Sequence, residues 1–216
     1  MNIDGLLDKY FTGSSLPNIE VFDNKNIFNV YTDVVNMLKR YPDIELSVLQ
    51  ALSYCFYEVL DNVLTHSGKT NGTVITKYSA DKSTIQILVA DDGMGIRSSL
   101  AENSVYQNIS EKDAIIKCIE DKVTDGKGMG FGLYSTLCLV KNAGIRFEIH
   151  SGSHILIFDG KNKDVLIANH WQGTVVYIEL HADKEINPNK VLEDRADAEN
   201  DFNERFLDIE DIENLW

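Results

Sequence analysis

The sequence predicts an α/β sandwich of the α+β class, in which helices cover one face of a mixed, largely antiparallel sheet. Hydrophobic periodicities follow one another along the chain in the order helices, strands, helix and strands, which is typical of such a layered fold. Glycines separate the short apolar runs in the second half of the chain. With 216 residues, of which 44% are hydrophobic, the chain can form one well-cored domain or one domain with an appendage.

The first half of the chain contains two predicted helices and three predicted strands. Residues 19–22 predict an edge strand. Apolar residues recur at helical spacing from position 27 to about position 41, and again over 46–64. Runs rich in β-branched residues follow at 73–78 and 85–90, and both predict strands.

The second half begins with a long polar segment. Residues 97–125 are polar apart from one helical patch at 114–119, and we expect them to be a partly ordered excursion rather than part of the core. A helix is predicted over 131–143. Four short strands are predicted after this helix, at 146–150, 154–158, 165–168 and 174–180.

Composition divides the chain into three parts. Residues 1–45 predict a strand and helix segment packed on the domain, 46–182 the main domain, and 183–216 an acidic C-terminal extension. The formal net charge is −14, and residues 191–216 carry −8 of it. Apolar residues of the extension would form a helical stripe that docks on its own domain, stays mobile or binds a partner; these are Phe202, Phe206, Ile209, Leu215 and Trp216.

Charge and hydropathy exclude two classes of partner. A net charge of −14 argues against binding of nucleic acid over a broad basic surface. No apolar run reaches the roughly 18 residues of a transmembrane helix, and the acidic N-terminus is unlike the basic start of a signal peptide. We therefore expect a cytoplasmic protein without nucleic-acid or membrane partners.

Two polar side chains lie on one face of the predicted helix at 46–64. Glu58 and Asn62 are four residues apart, and His66 continues the same row. A carboxylate can accept a proton from water or a hydroxyl, and an amide oxygen is a suitable ligand for Mg²⁺. Taken alone, the same pattern also fits an ordinary solvated helix face.

A second group of residues follows the strand predicted at 85–90. Asp91 ends this strand, and Gly93 and Gly95 allow a tight turn with close approach of the backbone to a ligand. A buried aspartate at such a place could accept a hydrogen bond from an exocyclic amine. The alternative is a plain strand-to-loop turn, which an Asp-Gly pair often marks.

Alternating glycines precede the helix predicted at 131–143. Gly126, Gly128, Gly130 and Gly132 free backbone amides, which form an anion site together with the N-terminus of a helix. Lys127 would add a contact to a phosphate. The Rossmann pattern does not fit, because it would need a third glycine where phenylalanine or leucine stands.

Together these three segments resemble the N, G1 and G2 boxes of the GHKL (Bergerat-fold) ATPases. That superfamily includes DNA gyrase, the 90-kDa heat-shock chaperones, MutL-type repair proteins and sensor histidine kinases. Gly173-Thr174 resembles a further Gly-Thr element of the family. The resemblance covers about residues 46–180. It implies a Bergerat-type sheet, a histidine-kinase-like ATP-binding domain over 46–182 and an ATP lid at about 97–127.

The resemblance also implies ATP and Mg²⁺ as cofactors and a role for each matching residue. Glu58 would be the general base or the carboxylate that positions water, and Asn62 would ligate Mg²⁺. Asp91 would read the adenine amine, helped through water by Thr174. The remaining residues implied to bind the cofactor are Gly93 and Gly95 around the base, and Lys127, Gly128, Gly130, Gly132 and Leu133 around the phosphates.

Within the superfamily, the chain most resembles stand-alone anti-sigma-factor-type serine/threonine kinases and related bacterial ATP-binding proteins. No histidine precedes the N box, so we expect no self-contained histidine kinase. The resemblance implies a Mg²⁺-dependent protein serine/threonine kinase or slow ATPase that acts on a partner protein. The alternative is a non-catalytic, nucleotide-sensing module that sequesters or releases a partner through its lid conformation. A homodimer is compatible with either.

Overall fold

The computed structural model describes residues 3–13, 16–128 and 132–187. The acidic extension beyond residue 187, with its apolar stripe, and Gly130 of the glycine run lie outside these ranges. Six helices and five strands occur in the described part of the chain. They are, in chain order, α1 Ile3–Tyr10, β1 Asn18–Asp23, α2 Ile27–Lys39, α3 Leu46–His66, β2 Asn71–Ser79, β3 Thr84–Ala90, α4 Gly95–Leu100, α5 Glu111–Lys117, α6 Gly132–Ala143, β4 Gly144–Phe158 and β5 Lys163–His181.

The five strands form one sheet in the order β1-β2-β3-β5-β4. Every neighbouring pair is antiparallel, with Ile87 of β3 opposite both Thr76 of β2 and Ile178 of β5. This arrangement confirms the predicted α+β class and its largely antiparallel sheet. It also confirms the edge position of β1, which pairs only with β2 in the described sheet.

The main core lies between the sheet and the helices α2, α3 and α6. Phe56 and Leu60 of α3 are almost completely buried, and they belong to one cluster with Ile87 and Ile178 of the sheet. Burial of a large apolar side chain stabilises the folded state by about 1.5–3 kcal/mol. The side of α3 that faces away from the sheet core is therefore the side left for polar residues.

A short helix on the opposite face of the sheet is missing from the sequence prediction. Leu6 and Tyr10 of α1, with Phe11 just after it, pack on the second face in a separate cluster that includes Leu88 and Tyr177. The rings of Tyr10 and Tyr177 stack with centroids 4.5 Å apart. The helix has only eight residues, which is too few turns for a clear periodic signal.

The four short strands predicted after α6 are in fact two long strands. β4 and β5 form a hairpin whose pairing is interrupted by bulges rather than by strand ends. One bulge lies between Ser151 and Gly152, where the register skips residues 172 and 173 of β5. A glycine inside a strand marks a bulge as readily as a turn, so the prediction of separate strands on the two sides of position 152 is wrong.

The polar segment 97–125 is more ordered than the sequence indicates, and the expectation of an excursion outside the core is wrong. It contains α5, which contacts β4, and most of α4. Ile115 and Ile119 are buried in the main cluster. Ile115 lies in α5 and Ile119 lies just beyond its end. Burial of these two side chains packs the polar segment against the core.

Among the helices of the described ranges, none is long and apolar enough to cross a membrane.

Candidate functional site

A cavity of about 600 Å³ is lined by residues of α3, the end of β3, the inner part of β5 around Thr174 and Val176, α4, and the segment that leads to α6. Ten sequence-predicted residues belong to the described ranges, and nine of them line this cavity. The tenth, Gly93, contacts the cavity residue Asp91 through its backbone amide. The nine lining residues are Glu58, Asn62, Asp91, Gly95, Lys127, Gly128, Gly132, Leu133 and Thr174.

Glu58 and Asn62 of α3 meet the start of α6. A Cβ atom at position 132 would lie 2.9 Å from Asn62 Nδ2 and 3.3 Å from Glu58 Oε2. Only glycine therefore lets the first turn of α6 approach the carboxylate and the amide so closely. A helix N-terminus attracts anions, so a phosphate bound at this turn would lie beside both side chains.

Asp91 is buried at the end of β3, with only 2% of its surface exposed. Its Oδ1 accepts a hydrogen bond of 2.7 Å from the Gly93 amide, and its carboxylate also accepts one from the Thr174 amide. Burial raises the pKa of Asp91 to about 6, although these two backbone hydrogen bonds lower it in part. The carboxylate is thus ionised at neutral pH and poised to accept a further hydrogen bond.

Gly173 allows β5 to lie against the turn that carries Asp91. Its φ is +94°, and a Cβ atom there would lie 2.3 Å from the backbone oxygen of Asp91. Any other residue would therefore push β5 away from the carboxylate. This distance gives a physical reason for the Gly173-Thr174 pair that the family resemblance brought to attention.

Apolar side chains form a large part of the cavity wall to which Asp91 also contributes. A wall of this kind, with one buried carboxylate, suits a flat heterocycle that carries an amine. The apolar lining residues are Val63, Val89, Ile96, Leu100, Val123, Leu133 and Val176.

His66 and Asp125 also line the cavity, and the sequence prediction assigned neither of them a role. His66 Nδ1 lies 2.7 Å from Asp125 Oδ2, and the Ser99 hydroxyl donates to the same oxygen at 2.8 Å. The opposite ring nitrogen, Nε2, lies 3.5 Å from the place of a Cβ atom on Gly128. The available signals were the position of His66 four residues after Asn62 and that of Asp125 just before the glycines.

Lys127 is oriented differently from the sequence expectation. Its Nζ forms an ion pair of 2.6 Å with Glu102, and it lies 4.0 Å from Asp125 Oδ2. Two carboxylates therefore neutralise the ammonium group in this conformation. Contact of Lys127 with a phosphate stays a prediction, and it requires the ion pair with Glu102 to open.

The residues present fit ATP and Mg²⁺. The amide oxygen of Asn62 is a hard oxygen ligand of the kind that Mg²⁺ prefers. The N-terminus of α6 would receive phosphate oxygens, and Asp91 lines the same cavity. Asn62 would hold the metal. Glu58, on the same helix, would accept a proton from water or from a hydroxyl group.

Comparison with known proteins agrees with this geometry. The sequence model of the family described as "Histidine kinase-, DNA gyrase B-, and HSP90-like ATPase" matches residues 48–184, which is more than half of the chain. No curated protein matches the chain. Domains of this family bind ATP, usually with Mg²⁺. The chain therefore belongs to the histidine kinase-, DNA gyrase B- and HSP90-like ATPase family.

Proposed function

We propose that this ATP-binding regulatory protein is a Mg²⁺-dependent serine/threonine kinase that acts on a partner protein in the cytoplasm. The observation that carries the proposal is the contact of Glu58 and Asn62 with the first residue of α6. A carboxylate at that place lies where the terminal phosphate of a nucleotide would be bound. It can accept a proton from an attacking hydroxyl group.

The reaction would need little covalent chemistry from the protein. When bound, Mg·ATP supplies the phosphoryl group that is transferred. Glu58 would accept the proton of a partner's serine or threonine hydroxyl. The oxygen of that hydroxyl would bond to the γ-phosphorus while the bond between this phosphorus and ADP breaks. Asn62 would hold the metal, and the first turn of α6 would bind phosphate oxygens. With water in place of the partner's hydroxyl, the same groups would support slow ATP hydrolysis.

A second candidate is a nucleotide-sensing module without phosphoryl transfer. The hydrogen bonds of Asp125 with His66 and Ser99 connect the segment after α5 directly to α3 and α4. A nucleotide that enters the cavity meets this connection, because His66, Ser99 and Asp125 all line it. Occupancy would then change the conformation of the lid, and the lid would control a partner.

Transfer of label from γ-labelled ATP separates the two candidates. The purified chain is incubated with Mg²⁺, labelled ATP and an extract of the source cells, and compared with Glu58→Gln. Asp33→Asn, an equivalent change on the exposed side of α2, serves as the control. We expect acid-stable label on protein with the native chain and the control but not with Glu58→Gln, while all three bind ATP. Binding without transfer or phosphate release in the native chain would favour the sensing module.

A further inference from the structure

Two side chains of β5 donate hydrogen bonds to the backbone of the turn that carries Asp91, and neither belongs to the predicted site. Trp171 Nε1 donates a hydrogen bond of 3.1 Å to the backbone oxygen of Asp91. Gln172 Nε2 donates one of 2.5 Å to the backbone oxygen of Gly93. The turn between β3 and α4 is thus fixed at the carbonyl groups of Asp91 and Gly93 by donors from one neighbouring strand.

The bulge in the β4–β5 pair explains how consecutive residues can aim at the same turn. Gly152 pairs with Trp171 and Ser151 pairs with Thr174, so Gln172 and Gly173 have no opposite residue. A bulge of this kind re-aims side chains that would otherwise point to opposite faces of the sheet. Ser151 contributes from the other strand, because its hydroxyl accepts from the Ile96 amide at 3.0 Å.

Packing fixes the indole of Trp171 in place. The ring packs against the cluster on the second face of the sheet, which includes Leu6 and Tyr10 of α1 and the following Phe11. It also lies 6.3 Å, centroid to centroid, from the ring of His150. A donor on a ring held this way has little freedom, so it can define where the Asp91 carbonyl lies.

The two donors act on the same carboxylate by different routes. Trp171 fixes the backbone of Asp91 itself, whereas Gln172 fixes Gly93, whose amide bonds to Asp91 Oδ1. A hydrogen bond from a ligand amine to this carboxylate weakens steeply when its angle or length departs from the optimum. Small displacements of the turn would therefore reduce recognition of the amine without emptying the cavity.

We propose that Trp171 and Gln172 are positioning residues that set adenine selectivity by holding the carboxylate of Asp91 in register with the amine of the base. The proposal rests on the assignment of Asp91 as the group that reads adenine. It adds two side chains that do not contact the nucleotide, and it makes the second face of the sheet a support for the nucleotide site.

A pair of ligands that differ only at the base amine tests the proposal. One is ATP, and the other is purine riboside 5′-triphosphate, which carries hydrogen in place of the amine. Titration calorimetry would measure both on the native chain, on Trp171→Phe and on Gln172→Met. We expect the native chain to prefer ATP by about tenfold or more, as for a hydrogen bond to a charged group. In the variants the affinity for ATP should fall severalfold while that for the analogue stays the same.

The controls separate positioning from general damage. Tyr10→Phe removes the hydrogen bond to Glu148 on the same face of the sheet, away from the turn, and should keep the native preference. Equal weakening of both ligands in the two β5 variants would show a merely structural role and overturn the proposal, as would an unchanged preference for ATP.

Two further results also have a defined meaning. Gln172→Met leaves the aromatic cluster intact, so it decides the question if Trp171→Phe does not fold. A native chain that binds both ligands equally well would remove the assignment of Asp91 and, with it, this proposal. A native chain that prefers ATP, with variants that keep the preference, would remove only the positioning role.

Discussion

His66 of α3 and Asp125, just before the glycine run, are joined by a contact of 2.7 Å between Nδ1 and Oδ2. Fifty-nine positions separate the two residues in the chain. Asp125 also accepts hydrogen bonds from the Ser99 hydroxyl and from the Lys127 amide. One buried carboxylate thus ties α3, α4 and the start of the glycine run together at the cavity.

Replacement of Asp125 by alanine should destabilise the protein and weaken nucleotide binding together. The change leaves His66 and Ser99 without the acceptor that they share in the structure. Loss of a buried hydrogen-bond partner costs about 1–3 kcal/mol of unfolding free energy. Urea denaturation checks the stability, and calorimetry with ATP checks the affinity. A variant with native stability and native affinity would contradict the role of this carboxylate.

The same carboxylate makes a pH-dependent contribution with a defined sign. Burial alone would raise the pKa of Asp125, but hydrogen bonds from Lys127, His66 and Ser99 outweigh it and lower the pKa below its usual value. The stabilisation is therefore present above the unfolded pKa, and it is lost as the pH falls through the folded pKa. Native chain and Asp125→Asn should differ in stability at neutral pH and converge in strong acid.

Binding of ATP should weaken as the pH falls through about 6. Burial raises the pKa of Asp91 to about 6, so below that pH the carboxylate gains a proton, loses its negative charge and becomes a weaker hydrogen-bond acceptor. The effect on folding has the opposite sign, because the folded chain binds this proton more tightly and gains stability from it between about pH 6 and pH 4. Calorimetry from pH 7.5 to pH 5.5 checks the affinity, with purine riboside 5′-triphosphate as the ligand that should show no such dependence.

Gly132→Ala should remove the part of the ATP affinity that depends on Mg²⁺. The added Cβ atom would lie 2.9 Å from Asn62 Nδ2 and 3.2 Å from Glu58 Cβ, so the predicted metal ligand would have to move. A displaced ligand for a metal with strict geometry costs on the order of tenfold in affinity. Titrations with Mg²⁺ and with a chelator measure the difference. Asn142→Ala, at the other end of α6, is the control and should keep the native Mg²⁺ effect.

Glu102→Gln should raise the affinity for ATP, because it releases the ammonium group of Lys127. The ion pair is half exposed, so its loss should change the unfolding free energy by less than about 1 kcal/mol. The released charge would be available to phosphates, and the gain should fade with added salt. Lys127→Ala should show the opposite effect on affinity. Equal affinities in both variants would mean that Lys127 does not contact the nucleotide.

The parts of the fold that the sequence predicts are those with a strong local period. Helix α3 and strands β2 and β3 carry long apolar patterns, and these elements occur where the patterns predict them. Helix α1 is absent from the sequence prediction because it is short and its apolar partners lie on distant strands. The burial of Ile115 and Ile119 in the core was not predicted, because the polar residues around them dominate the composition of the segment.

The residues of the site show the same difference between local patterns, which the sequence reveals, and tertiary contacts, which it does not. Glycines and carboxylates next to predicted elements were visible as motifs, and the structure gathers them around one cavity. The pair of His66 and Asp125 and the donors Trp171 and Gln172 depend on tertiary contacts. The two donors also depend on a bulge in a strand pair, and no spacing rule in one strand reveals such a bulge.

Calorimetric titration of the purified chain with ATP in the presence of Mg²⁺, side by side with Asp91→Asn, tests the central claim most directly. We predict saturable binding at one site per chain. We also predict at least a tenfold loss of affinity in the variant, whose amide nitrogen would face the donor of Gly93 or of Thr174. Absence of binding in the native chain, or equal affinity in the two proteins, would contradict it.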